Sequence, residues 1–195
     1  MKLSILDHIV CPTCYSNFKI RIKSKMKTEI KEGTLICIKC NNKFKISKGI
    51  PRFVVDLSKD FVRTEMAFSA KWKNHHKNHH AKDWVNWQKN WFLERFGWKS
   101  IKQFNTFLSS QNFILDAGTG IGNSAKMLSI NKSSTVFALD ASDSIDFAYK
   151  KYGGVPNIHF IQHGTRDELL EEVGLTCDNL ISILKSQCEQ PEVYE

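Results

Sequence analysis

The sequence has no run approaching the ~18 consecutive apolar residues that a membrane-crossing helix needs. Its opening, Met1-Lys2-Leu3-Ser4-Ile5-Leu6-Asp7, also lacks the long apolar core of a secretory signal. Cytoplasmic residence is therefore the default expectation. Proline is scarce, with four residues in 195, and there is no internal repeat. Acidic residues are scarce in one half only. Residues 1–100 hold 8 Asp/Glu against 21 Lys/Arg, whereas residues 101–195 hold 12 against 7. The basic first half could meet RNA, an acidic protein or an anionic surface. A solvated lysine-rich face is the plainer reading, since charge alone is a weak guide. The hydrophobic share of 42% and charged share of 25% are those of an ordinary soluble globular chain.

Cysteine is present in six positions, and without an export signal a metal site is the better reading than a disulfide framework. Cys11-Pro12-Thr13-Cys14 and Cys37-Ile38-Lys39-Cys40 form two tight pairs, while Cys177 and Cys188 stand alone. Each C-x-x-C can fold as a knuckle that presents two thiolates to one ion. The 22 residues between the pairs suffice for a hairpin that brings the knuckles together. Four thiolates at ~2.3 Å would complete a tetrahedral zinc shell, closed to water and substrate and therefore structural. So small a unit has little core, and the metal would supply much of its folding free energy. Cys177 and Cys188 read as small apolar side chains.

Three units are expected along the chain. Residues 1–55 form the metal module. It has helix-compatible spacing at Ile5, Leu6, Ile9 and Val10, then short strands at Phe18–Ile22, Thr34–Ile38 and Lys43–Ile46. Turn signals stand at Glu32-Gly33 and Asn41-Asn42, and Gly49-Ile50-Pro51 closes the unit. Residues 56–110 form an aromatic, histidine-rich helical connector holding all five tryptophans. Trp84, Trp87 and Trp91 share one helix face, widened by Phe92 and Phe96, and a second helix covers Ser100–Leu108. The stripe reads as packing ahead of a lid or an RNA-stacking platform. His75, His76, His79 and His80 give two i, i+4 pairs that could chelate metal. No acid adjoins them, so a solvated connector is preferred.

From Gln111 the pattern becomes α/β. Strands are expected at 113–115, 135–139, 158–161 and 180–184, with helices at 122–130, 142–152 and 166–173 between them. Such alternation implies a parallel sheet with right-handed crossovers. Between the first strand and its helix lies Leu115-Asp116-Ala117-Gly118-Thr119-Gly120-Ile121-Gly122. Glycines there permit a sharp turn and close approach of a ligand to the backbone. The dinucleotide fingerprint wants its third glycine one place later, where Asn123 stands. An acid before the turn suits a cofactor with a positive amino group better than one presenting phosphates. Asp140 ends the second strand, 18 residues after Gly122, where a carboxylate can accept ribose hydroxyls. Ala141-Ser142 follows, with Ser142 placed to cap the next helix.

Two resemblances rest on these motifs. The Met1-Lys2…Leu6-Asp7…Val10-Cys11-Pro12-Thr13-Cys14 opening, the Gly33–Cys40 centre and the Ile46…Gly49-Ile50-Pro51-Arg52-Phe53 close resemble the small zinc-ribbon methyltransferase activators, and the same ribbon fused to methyltransferases. That resemblance implies a ribbon bound through Cys11, Cys14, Cys37 and Cys40 that covers apolar surface on a methyltransferase domain. The Asp116–Gly122 turn, Asp140 and Asn157–Gln162 resemble class I S-adenosylmethionine-dependent methyltransferases. Phe68–Trp72 and Phe96-Gly97-Trp98 resemble the connector of the fused proteins.

The fold implied is α/β: an N-terminal zinc ribbon, then a Rossmann-like parallel-sheet methyltransferase domain. Asp116, Gly118, Gly120 and Gly122 would hold the methionine end of S-adenosylmethionine, and Asp140 with Ala141 the ribose. No catalytic base and no methyl acceptor are implied. Gly164 or Thr165 stands where the family commonly places an acid for the adenine. Only 84 residues follow Gln111, enough for four of the family's seven strands. An incomplete domain is thus expected. Its open sheet edge and ribbon would serve self-association or a protein partner. A non-catalytic partner-binding relative is the rival to an enzyme.

Overall fold

The computed structural model describes residues 1–54 and 81–164. The His75–His80 cluster, Phe68–Trp72, the expected helix at 166–173, the expected strand at 180–184, Cys177 and Cys188 lie outside the described residues.

The chain opens with a 3-10 turn, Leu3–Asp7, that buries Ile5. Four strands follow: β1 (Phe18–Met26), β2 (Glu29–Cys37), β3 (Lys43–Ser47) and β4 (Ile50–Arg52). The helices α1 (Ala81–Arg95) and α2 (Ile101–Ser109) come next. Then strands and helices alternate as β5 (Phe113–Ala117), α3 (Asn123–Leu128), β6 (Thr135–Asp140), α4 (Ser144–Tyr152) and β7 (Ile158–Gln162). Helix α2 is capped by Ser100, whose side chain accepts from the Gln103 N–H, while Gln103 Oε1 accepts from the Lys99 N–H.

All seven strands form one mixed α/β sheet, ordered β1-β2-β3-β4-β7-β6-β5. The ribbon strands pair antiparallel and β5, β6 and β7 pair parallel. The joint is a single parallel pairing of Arg52 with Gln162, reinforced by the Phe53 N–H donating to Gln162 O at 2.7 Å.

Several local expectations change. Gly33 is not in a turn but inside β2, between Ile22 and Ile46. A Cβ there would stand 2.7 Å from Arg21 O, so the missing side chain serves close strand approach. The turn falls instead after Met26, with Lys27 at φ 55°. Asn41, at φ 61°, does lie in a turn as expected. Pro51 sits in β4 opposite Ile46, and Arg52 next to it pairs with β7. Of the tryptophan stripe on α1, Trp87 and Trp91 have described side chains and Trp84 does not. Phe92 and Leu93 pack against the core, while Trp87 and Trp91 are 54% and 44% exposed.

The alternation of β6 and β7 defines two cores. Val136, Ala138, Ile158 and Phe160 point to one face, under Phe104 and Leu108 of α2, Ala125 and Leu128 of α3, and Ile145 and Ala148 of α4. Leu139 and Ile161 point to the other face and join Met1, Ile5, Ile30, Leu35, Phe44, Ile46 and Phe53. The ribbon thus covers the second face of the parallel strands. Polar clasps hold it there. Lys2 Nζ donates to Val155 O and Ile158 O at 2.6 and 2.7 Å. Tyr149 of α4 donates to Glu29 Oε2 at 2.6 Å and accepts from Lys31 Nζ at 2.8 Å. The cover over β5 is thin: the His8 ring meets Phe113 edge-on at 5.2 Å, yet Phe113 and Leu115 remain 58% and 49% exposed.

Candidate metal centre and glycine-turn site

The β1–β2 hairpin and the β2–β3 turn bring the two cysteine pairs together. The Cys11, Cys14, Cys37 and Cys40 sulfurs all lie within 4.8 Å of one another. Cys11 and Cys40 are 3.6 Å apart, and Cys14 and Cys37 are 3.4 Å apart. A tetrahedron with ligands at ~2.3 Å has edges of about 3.8 Å, so the four sulfurs could hold a metal ion such as zinc. Cys11 and Cys37 are buried, which keeps the cluster dry. Burial opposes ionisation of Cys37. The Cys40 and Lys39 N–H groups aimed at its sulfur, at 3.5 and 3.4 Å, and its contacts with the neighbouring thiols bring it down to about 6. Thiolate is the form a metal requires.

The second site sits at the carboxyl ends of β5 and β6. Asp116 belongs to β5, and its Oδ2 accepts from the Thr119 hydroxyl at 2.6 Å. The Gly118 and Thr119 N–H groups both donate to Leu139 O at 2.8 Å, which folds the turn over the end of β6. The Gly120 N–H donates to Asp140 Oδ2 at 2.6 Å. Asp140 Oδ1 accepts from the Ser142 N–H and hydroxyl at 2.9 and 2.6 Å. A carboxylate has about four acceptor sites. Among the described residues three are used, which leaves one on Oδ2 for a ligand.

The glycines divide their work. Gly118, at φ 80°, faces open space, with nothing within 4 Å of where a Cβ would stand. Gly122, at φ 81°, is closed instead: a Cβ would meet Ala148 Cβ at 2.9 Å. Gly122 therefore lets α3 start against α4, a packing role that the spacing alone did not distinguish from ligand approach. Gly120, at φ 55°, aims its N–H at Asp140. Helix α4 begins at Ser144, two residues later than expected. The N-cap position therefore falls on Asp143 and not on Ser142, although Ser142 Oγ accepts from the Ser144 N–H at 3.2 Å. Ala141 contributes its carbonyl, which accepts from Gln162 Nε2 at 2.9 Å.

Burial pushes the Asp116 carboxyl up from its usual range. The Thr119 bond draws it down and the Asp140 carboxylate pushes it further up. No cation pairs with Asp116 or Asp140 among the described residues. Sequence does not single out Thr119; it reads Ser142 only as a helix cap and Gln162 only as the end of a strand. Thr119 stands three residues after Asp116, a reach that an aspartate–threonine pair within one turn signals. No helix among the described residues is long and apolar enough to cross a membrane. No protein-family model and no curated protein sequence matches the chain.

Proposed function

We propose that the chain is an S-adenosylmethionine-dependent methyltransferase-family protein with a structural zinc ion in its ribbon. The observation that carries the reading is the pair of carboxylates, Asp116 and Asp140, at a glycine turn whose Gly118 side is open. Two neighbouring acids without a cation favour a positively charged ligand. S-adenosylmethionine carries both an ammonium and a sulfonium, whereas a dinucleotide would bring a repelled pyrophosphate. Bound there, the cofactor would supply an activated methyl group. The chain's own part is to hold it: Asp116 beside the ammonium, Gly118 close to the methionine end, and the free acceptor site of Asp140 on a ribose hydroxyl. Orientation of the methyl group and exclusion of water are the means by which such a site accelerates transfer. Calorimetric titration with S-adenosylhomocysteine tests the reading. Saturable binding that weakens in both Asp116→Ala and Asp140→Ala is expected, and absence of heat with the folded chain overturns it.

A second reading, a non-catalytic partner-binding protein built on the same fold, is favoured by one observation. The outward row of β5 is apolar and exposed at Phe113 and Leu115, on a strand paired along one side only among the described residues. Cofactor binding without methyl transfer to any fraction of a cell extract, together with assembly in light scattering, would select this reading.

A further inference from the structure

We infer that Arg52, from the ribbon, is a positioning residue for the Asp140–Ser142 loop, an inference that rests on the cofactor reading above. Arg52, Gln162 and Asp140 form one cross-strand row: Arg52 stands opposite Gln162, and Gln162 opposite Asp140. Neighbouring strands lie ~4.8 Å apart, so the guanidinium strand is only about 10 Å from the strand of the ribose-side carboxylate. Residues directly opposite share a face of the sheet, which places the three side chains in reach of one another.

The row works as a relay because an arginine has donors and no acceptor. The Gln162 amide on its own can sit either way round. Arg52 Nη1 donates to Gln162 Oε1 at 2.8 Å, which fixes the oxygen toward the ribbon. The amide nitrogen is then turned the other way, and it donates to Ala141 O at 2.9 Å. That carbonyl belongs to the residue between Asp140 and Ser142, the two residues that lock the carboxylate. Arg52 is itself immobilised: Nη2 is paired with Asp146 of α4 and donates to Ser47 O at 3.3 Å. Lys48 Nζ holds the other Asp146 oxygen at 2.7 Å. The Arg52 side chain is 14% exposed, so water competes little for these bonds. A fork that serves a carboxylate and an amide at once is geometry a lysine ammonium does not offer. The orientation of the ribose acceptor is thereby set from a strand that belongs to the metal module.

The test uses the full chain, titrated with S-adenosylhomocysteine and with its 2′- and 3′-deoxyadenosyl analogues. Zinc content and melting temperature are recorded for every variant. The wild type should prefer the ribose form over the analogue lacking the hydroxyl that Asp140 accepts from. In Arg52→Met and Gln162→Met, affinity for the ribose form should fall on the order of tenfold, as for groups coupled in one hydrogen-bond network. The deoxy analogue should be affected far less, so the preference falls toward one. Arg52→Lys should behave as Arg52→Met, and the double variant should be no worse than Gln162→Met. Gln162→Met leaves the Arg52–Asp146 pair in place and carries the test should Arg52→Met fail to fold. If the wild type binds no ligand, the cofactor reading itself falls. If the wild type binds with ribose preference and the variants keep that preference, whether or not both affinities drop together, the positioning role of Arg52 is overturned and the cofactor reading stands.

Discussion

Cys37→Ser is the perturbation that most directly probes how the ribbon and the parallel strands depend on each other. Cys37 ends β2, is fully buried and lies 3.4 Å from the Cys14 sulfur. Structural zinc contributes ~10–16 kcal/mol to the folding of small metal modules at neutral pH. Shared evenly among four ligands, one thiolate then accounts for about 2.5–4 kcal/mol. The effect does not end at the metal. Leu139 of β6 and Ile161 of β7 share a core with Ile30, Leu35, Phe44 and Ile46 of the ribbon. Burying one such side chain is worth about 1.5–3 kcal/mol, so uncovering both removes a further ~3–6 kcal/mol. The sum reaches into the ~5–15 kcal/mol that a whole domain commands. The variant should therefore lose the ribbon and loosen the parallel strands together. Hydrogen exchange followed by mass spectrometry checks this: peptides spanning 29–37, 135–140 and 158–162 should all lose protection. About one zinc per chain is expected in the wild type, and chelation should reproduce the pattern. Protection of 135–140 and 158–162 persisting while 29–37 exchanges freely would refute the coupling. A stripped protein in which all three stay protected would refute the metal's role.

Asp140→Ala should weaken S-adenosylhomocysteine binding by roughly 1.5–3 kcal/mol, the range for bonds to a charged group, and calorimetry reads it. Gly122→Ala should destabilise the fold by about 1–3 kcal/mol in urea titration, because it combines strain at φ 81° with a 2.9 Å approach to Ala148 Cβ. His159 is 7% exposed, and burial, followed by the Lys2, His8 and amino-terminal charges, lowers it to about 4. The unfolded chain takes up that proton near pH 6.5 and the folded chain only near 4. Stability should therefore fall as pH drops through that window, by up to ~3 kcal/mol, with no contribution above it. His159→Phe should remove this share of the acid-side loss in chemical denaturation at pH 4.5 and leave a difference independent of pH above 7.

What was legible in the sequence had local signatures. The C-x-x-C pairs and the Asp116–Gly122 turn declare themselves within a few residues, and the structure gathers the four cysteine sulfurs and sets the turn between β5 and α3. Gly33 misled because its local meaning is a turn. Its actual role depends on a partner, the Arg21 carbonyl on the neighbouring strand. The joint between the ribbon strands and the parallel strands has no local signature at all, since it is one pairing between residues 52 and 162. One clue to the ribbon's cover was available. Val136-Phe137-Ala138-Leu139 and Ile158–Ile161 carry apolar residues on both alternating faces, and a strand buried on both sides reads that way. Helices account for one face. Nothing in the pattern says that the other is closed by the residues that hold the cysteines.

The brevity of β4 explains why side chains carry so much of the union. The strand has three residues, and Pro51 in its middle has no N–H to give to either neighbour. Backbone bonding across the joint is accordingly thin, and an apolar core alone does not fix register. The register is set instead by partners that accept only one alignment. Arg52 must meet Gln162 and Asp146, Lys2 must reach two carbonyls beside β7, and Tyr149 must stand between Glu29 and Lys31. These groups are mostly shielded from water, so salt screens them less than surface pairs. Each would leave a partly buried polar group unmatched if the ribbon slid by one residue, at a cost of about 1–3 kcal/mol apiece. The apolar contacts of Leu139 and Ile161 thus supply attraction, and the polar clasps supply position. A ribbon held in that way is a fixed wall against β6 and β7, and an ion held by its four cysteines would stabilise the strands that end at Asp140 and Gln162.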